Sequence, residues 1–293
     1  MVELNGIVER KHRDLQASVV IPAHNAAETI RRTIDSIKAQ TIQPLEIVVG
    51  CDGCTDSTAE IAQSLGAIAV EIPKSTGAVA RNAAFQKTTG NIIFLVDADD
   101  EWKPRKIEAH FEAYRQFEPP FVIDPSRRIR ANGELRGLNG AGPSGWRSWE
   151  DMVEHKNWSS GSGISATREA WEKVGGFNPE LKGLQDIDFL IRCAYFAGQG
   201  YHIEECCTRY HLTEGGLSRT TSWQQSIIDG ISNSCPFLEP KHIQSIKRTV
   251  ALRNALLAGP KEFWSNLKWG DVSLADPRVW KLYALTVLNS RKH

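Results

Sequence analysis

The chain has 293 residues, 41% of them hydrophobic, enough for one large domain or two modest ones with a sizeable core. Its 35 basic and 35 acidic residues cancel, so no global field favours nucleic acid or an anionic membrane, and affinity for a polyanion has to come from a local site. Six cysteines are too sparse for a disulfide scaffold and read as buried thiols.

Residues 1–16 read as a polar arm; MVELNGIVERKHRD has no apolar core of signal-peptide length. No segment approaches the roughly 18 apolar residues of a membrane span, which predicts a soluble, cytoplasmic protein. ASVVIP (Ala17 to Pro22) is then a short buried strand, β-branched and closed by proline. Asn25 is placed to cap the helix that follows, with Glu28 three residues on, and Ile30, Ile34 and Ile37 recur on one helical face.

The unit repeats. LEIVV (Leu45 to Val49) is a strand, DSTAEIAQSLG (Asp56 to Gly66) a helix stopped by glycine, and AIAVEI (Ala67 to Ile72) the next strand. AVARNAAFQKTTG (Ala78 to Gly90) and NIIFLV (Asn91 to Val96) supply a third helix and a fourth strand. Alternation at this spacing predicts an α/β fold, a mostly parallel sheet wrapped by helices. Ligands bind beyond the carboxyl ends of such strands, so His24, Asn25, Asp52, Thr76, Gly77, Arg81, Asp97, Asp99 and Asp100 should converge on one crevice.

The fourth strand runs into FLVDADDEW (Phe94 to Trp102), whose crowded acids repel one another unless a cation sits among them. Asp97 and Asp99 are hard oxygen ligands suited to Mg²⁺ or Mn²⁺ shared with a substrate's phosphates. Asp100 and Glu101 could instead favour the N-terminus of the helix PRKIEAHFEAY. Between Phe121 and about Ser160, glycine, arginine and tryptophan predict hairpins and long loops. A strand and short helix (Gly163 to Phe177), a helix (Asp186 to Gly198) and one or two strands (Tyr201 to His211) follow, and beyond about Thr220 the pattern is helical.

Five segments in this order, VVIPAHN, VVGCDGCTDST, GAVARNAAF, FLVDADD and LQDIDFLIR, resemble those of the family 2 glycosyltransferases, over roughly Ala17 to Ser218. The resemblance implies the GT-A fold, a Rossmann-like sheet flanked by helices, with a nucleotide-diphosphate sugar donor, a divalent metal and inversion at the anomeric carbon. It divides the chain into a catalytic domain over 17–219 and a helical region over 220–293. Within the catalytic domain, 17–100 would hold the nucleotide sugar and 101–219 the acceptor, a glycan or glycolipid. Asp97 and Asp99, with Ala98 between them, correspond to the DxD motif; Asp99 would hold the metal and Asp97 the ribose or metal.

The resemblance makes Asp52 a hydrogen-bond partner of the nucleobase, as a carboxylate that can accept uracil's imide N–H, with Pro22, Ala23, His24 and Asn25 lining the base. Gly77 and Arg81 fall beside the diphosphate, Asp186 is the catalytic base, and His211 stands where relatives place a further metal ligand or diphosphate contact. Asp188, with Arg192 at i,i+4, reads as a structural ion pair. Three positions depart from the family pattern: Cys51-Asp52-Gly53-Cys54 where Asp-Asp-Gly-Ser is usual, His24 for an aromatic tyrosine, and Gln185 for the glutamate before the base. A non-catalytic sugar-nucleotide-binding relative and a nucleotidyltransferase are the alternatives, although the latter lacks an early glycine-rich phosphate loop.

CDGC is a literal C-x-x-C, a redox or half-zinc pattern, and GAGPSG (Gly140 to Gly145) matches G-x-G-x-x-G without a preceding strand. Trp146, Trp149 and Trp158 could stack on an acceptor sugar or simply pack. The tail VWKLYALTVLNSRKH (Val279 to His293) would dock on the catalytic domain or make a peripheral contact with the inner face of a membrane.

Overall fold

A computed structural model describes residues 14–130, 132–154, 160–212, 224–258, 260–273, 275, 279–280 and 283. In chain order the first half holds β1 (Ala17–Ala23), α1 (Ile30–Lys38), β2 (Glu46–Asp52), α2 (Thr58–Ser64), β3 (Ile68–Ile72), α3 (Gly77–Phe85), β4 (Ile92–Leu95), β5 (Glu101–Trp102) and α4 (Lys106–Phe117). There follow β6 (Phe121–Ile123), β7 (Ser126–Arg130), β8 (Leu135–Asn139), β9 (Gly145–Arg147), α5 (Trp149–Val153), a 3₁₀ turn (Gly161–Gly163), β10 (Ile164–Thr167) and α6 (Arg168–Lys173). Then come α7 (Gln185–Phe196), β11 (Gly200–His202), β12 (Thr208–Leu212), α8 (Gln224–Ser234), α9 (Pro240–Ala258) and α10 (Pro260–Trp269).

The main sheet runs β3-β2-β1-β4-β10-β6-β11-β9, and a second sheet runs β5-β12-β7-β8. β1 to β4 are parallel, as the alternation predicts, whereas β10 enters antiparallel between β4 and β6. The strand segments read as continuous apolar runs because both faces are covered. Val20, Val48, Ile93 and Leu95 point into a core shared with α3, α6 and α7; Val19, Ile21, Val49 and Phe94 point the other way, onto α1 and α4.

The apposition of α3 on the sheet is unusually close. A Cβ at Gly50 would stand 2.3 Å from the Ala80 carbonyl oxygen, so only glycine in the middle of β2 lets the helix settle there and bring Arg81 over the strand ends. That helix ends at Phe85, not near Gly90, because the following turn is held by other partners: the Thr88 hydroxyl returns to Phe85 O, and Glu46 takes the Thr89 N–H.

The expected Asn25 cap does not form. Asn25 adopts φ +47° and its side-chain oxygen accepts from Thr55 N at 2.8 Å, tying the first strand-end loop to the second. α1 begins at Ile30 after Thr29, which makes no side-chain cap. The exposed N–H groups of Ala26 and Ala27 are taken by Thr58 Oγ1 and Asp56 Oδ2 from the neighbouring loop instead.

At the carboxyl end α8 and α9 join the main core through Ile227, Ile231, Ile246 and Val250, while Leu252, Phe263, Leu267 and Val279 form a smaller cluster. Of the tail segment, Val279 is buried and Trp280 exposed; residues 284–293 lie outside the described ones. Among the described residues no helix is long and apolar enough to cross a membrane.

Candidate functional site

The turn after β4 is pinned largely through its backbone. Thr33 Oγ1 lies 2.9 Å from Ala98 O and 2.8 Å from Asp100 O, and Arg32 donates to Asp99 O at 2.6 Å. Asp97 N donates to Ser162 Oγ at 3.0 Å, and the Ser162 hydroxyl donates to Asp100. Asp97 and Asp99 are half-buried at the mouth of the sheet.

Asp100 and Glu101 do not start the next helix. Asp100 is fully buried between Ser162 and the His211 N–H, and burial, with Asp99 and Asp97 beside it, pushes its carboxyl well above the usual range. Glu101 lies in β5, where it meets Arg32 and accepts from His211 Nε2 at 2.7 Å. The second sheet claims both acids before α4 begins.

Arg81, on α3 over the ends of β1 and β2, reaches both halves of the chain. Its Nη2 donates to Asp97 Oδ1 at 2.6 Å and its Nη1 to Gln185 Oε1 at 2.9 Å, while its guanidinium lies 5.2 Å from the Phe177 ring centroid. Gln185 opens α7 after Leu184 in a left-handed conformation, and Asp186 follows it. A methyl placed on Gly161 would stand 3.8 Å from Arg81 Nη2, 3.8 Å from Asp97 Oδ2 and 3.9 Å from Asp186 Oδ2. Three groups far apart in sequence therefore face one point over the 3₁₀ turn.

The strand-end loops converge beside it. Asp52 is buried; its carboxylate accepts from Lys74 Nζ at 2.9 Å and from the Ser75 N–H. His24 Nδ1 donates to Asp52 O at 2.7 Å, since a carbonyl can only accept. Pro22 and Ala23 end β1, Ala98 is buried within the acid turn, and Gly77 starts α3 against Arg81. His211 stands apart in its bonding, its imidazole given to Glu101; burial, and secondarily Arg32, lower its pKa. Among the described residues no three His, Cys, Asp or Glu side chains gather into a metal-holding group. Asp97 and Asp99 offer two hard carboxylates, a set that fits Mg²⁺ or Mn²⁺ when substrate oxygens complete the shell.

Below the site runs a buried polar chain. Lys106 donates to Asp124 and, at 3.2 Å, to Ser162 O; Trp102 Nε1 reaches the same carbonyl at 3.1 Å. Tyr114 donates to Ser165, Ser165 to His110 Nδ1, and His110 Nε2 to Asp124, at 3.0, 2.7 and 3.2 Å. This order requires neutral His110, in keeping with a pKa lowered to about 4 by burial and by Lys106.

In the unfolded chain a histidine titrates at about 6.5. Between that value and about 4 the unfolded state therefore holds more protons, so stability is full above the window and is lost as pH falls through it. Urea midpoints from pH 7 to pH 4 should fall more steeply for the protein than for His110→Gln, and parallel profiles would refute the linkage.

The C-x-x-C carries no redox signature. All six cysteines are free thiols, and the Cys51 thiol is pushed up to about 12 by burial and by Cys54, so it is poorly nucleophilic. Trp149 packs against Tyr195, Phe237 and His242, and Trp146 against Phe117 and Tyr201; Trp158 lies outside the described residues. Asp188 is the structural ion pair expected, bonded to Arg192 Nε at 3.0 Å.

Lys74, Ser162 and Gly161 escaped the sequence reading. Lys74 follows β3 and obeys the same strand-end rule that marks Thr76 and Gly77. Gly161 and Ser162 precede their strand, and reach the crevice only because β10 runs antiparallel, Ser165 opposite Phe94.

The family model described as Glycosyl transferase family 2 matches residues 18–169. The amylovoran biosynthesis glycosyltransferase AmsB of Erwinia amylovora is 32% identical over 216 residues, covering 68% of this chain and 71% of its own. The chain spans 65% of the length of one curated relative it matches and 20% of two longer synthases. The S. aureus TarS 1–349 structure with UDP-GlcNAc superposes with a TM-score of 0.65 at 16% identity, covering 94% of this chain and 90% of that one, and supports the GT-A fold. The Pyrobaculum calidifontis mannosyltransferase PcManGT with GDP-Man and Mn²⁺ gives 0.59 at 18% identity, covering 96% and 82%.

Proposed function

This chain belongs to glycosyl transferase family 2, and from that premise we propose that it moves a sugar from a nucleotide-diphosphate donor, a UDP-sugar, to a hydroxyl of a glycan or glycolipid, inverting the anomeric carbon. The observation that carries the reading is the approach of Arg81, Asp97 and Asp186 to one point above Gly161. Arg81 there suits the charge of a diphosphate, Asp97 a metal or the ribose, and Asp186 brings a second carboxylate to the same point.

In the proposed reaction Asp186 takes the proton of the acceptor hydroxyl as its oxygen bonds to the anomeric carbon. The bond from that carbon to the diphosphate oxygen breaks on the opposite face, and its electron pair leaves with the nucleoside diphosphate. Arg81 offsets the charge that develops there. Asp52, oriented by Lys74 and Ser75, would accept from the nucleobase, with Pro22, Ala23, His24 and Asn25 as its lining. Asp99, with Asp97, would hold Mg²⁺ or Mn²⁺, which when bound would neutralise diphosphate charge. Residues 17–100 then form the donor half and 101–219 the acceptor half, with PcManGT's Mn²⁺ as support for the metal.

A thermal-shift panel of UDP- and GDP-sugars with and without Mn²⁺ tests this. A ligand at about a hundredfold over its Kd adds about 2.7 kcal/mol, a rise of several degrees in Tm. Asp99→Ala should erase the manganese-dependent part of that rise. An unchanged manganese effect would refute the metal assignment, and a panel without any stabilising nucleotide sugar would refute the donor.

A further inference from the structure

Resting on the reaction proposed above, we infer that Gly161 holds open the berth of the donor's sugar and thereby sets which sugars the site accepts. Among the described residues nothing requires glycine at this position. Its φ is not positive, and a methyl there would meet its nearest neighbours at 3.8 to 3.9 Å, ordinary van der Waals contact. Gly50 differs, because a Cβ there would collide with backbone, and Gly176 differs in both respects, with φ +74° and Asn82 Oδ1 at 2.5 Å from the added carbon. At Gly161 the absent side chain leaves space, and its neighbours identify that space.

Those neighbours are the side chains of Arg81, Asp97 and Asp186. In a displacement the anomeric carbon must lie between the departing diphosphate and the attacking hydroxyl. Arg81 and Asp97 belong to the first and Asp186 to the second, so the sugar ring passes over Gly161. The turn itself is stiff: Gly163 N donates to Ser160 O at 2.9 Å, and Asp124 N to Gly163 O at 3.0 Å. A methyl added at Gly161 would therefore stay in the sugar's path instead of swinging away.

Titration calorimetry with UDP, UDP-xylose, UDP-glucose and UDP-N-acetylglucosamine, in Mn²⁺, separates the possibilities. Gly161→Ala should keep its Tm and its affinity for UDP within about twofold. Its affinity for the sugar nucleotides that the unaltered protein binds should fall about tenfold or more, since one misplaced methyl in a pocket is worth about 10–200-fold. The N-acetylhexosamine donor should lose more than the pentose donor.

Equal binding of the sugar nucleotides by both proteins overturns the inference and leaves the proposed function standing. A matching loss for UDP and for UDP-sugars also overturns it, placing Gly161 at the nucleotide. Failure of the unaltered protein to bind any of the four overturns the donor reading and the inference with it. If Gly161→Ala does not fold, hydrogen exchange on the unaltered protein decides: UDP-sugars, unlike UDP, should slow the amides of residues 160–163, and equal protection refutes the inference.

Discussion

Replacing Asp186 with Asn is expected to lower kcat by about 10²–10⁴-fold, the usual contribution of a positioned general base. Donor affinity should move by less than about threefold. Asparagine keeps the shape of the side chain and the oxygen that Ile187 N approaches at 3.0 Å, so the first turn of α7 should survive. What it lacks is a site for the acceptor's proton. Release of nucleoside diphosphate in the presence of acceptor measures kcat, and calorimetry with the donor alone measures binding. Full turnover by Asp186→Asn would move the base elsewhere. Asp188, two residues on, is no substitute: it is fully buried, held by Arg192 and by the Ser234 hydroxyl.

Lys106→Met is expected to cost about 3–5 kcal/mol of stability, the effect of stranding a buried charge. Lys106 and Asp124 are both wholly buried, and the ammonium also lies 5.6 Å from the Trp102 ring centroid. Without it, Asp124 keeps the Cys207 N–H at 3.0 Å, Thr208 Oγ1 at 3.0 Å and His110, but no neighbouring lysine. His110 would then take up a proton more readily, because part of what depresses its pKa is Lys106. The double variant Lys106→Met with Asp124→Asn should recover much of the loss, since it removes both charges. Urea unfolding of the three proteins is the check, and a single-variant loss below about 1 kcal/mol would show that the pair is not what holds this layer. The same change frees the Ser162 carbonyl from its Nζ partner, so the turn carrying Gly161 should loosen along with the core.

Much of the placement of the candidate site's residues was legible because it rests on local rules. Apolar runs of strand length marked β1 to β4; Asp52, Asp97 and Asp99 stand at the ends of β2 and β4, and Arg81 lies farther on, in the helix after β3. The i,i+4 spacing of Asp188 and Arg192 was read correctly as an ion pair for the same reason. Where the reading missed, a distant partner had outbid a near one. Asn25 had a helix to cap and Thr55 to bond, and the loop took it. Asp100 had a helix dipole ahead of it and Ser162 beside it, and the buried hydroxyl won. Lys106, on which the sequence alone offered no reading, is wholly buried against Asp124, eighteen residues away.

By itself the sequence determined the alternation of strands and helices, the strand ends that bear acids, and the order of motifs that marks the family. These depend on periodicity and on residues a few positions apart. Only the tertiary structure decided that Arg81 joins Asp97 to Gln185, and that Gly161 faces Arg81, Asp97 and Asp186 together. The physical reason is the direction of β10: antiparallel to β4, it delivers the residues before it, not those after it, to the mouth of the sheet. Strand direction is set by what pairs across the sheet, and no local pattern in Gly161–Gly163 encodes it.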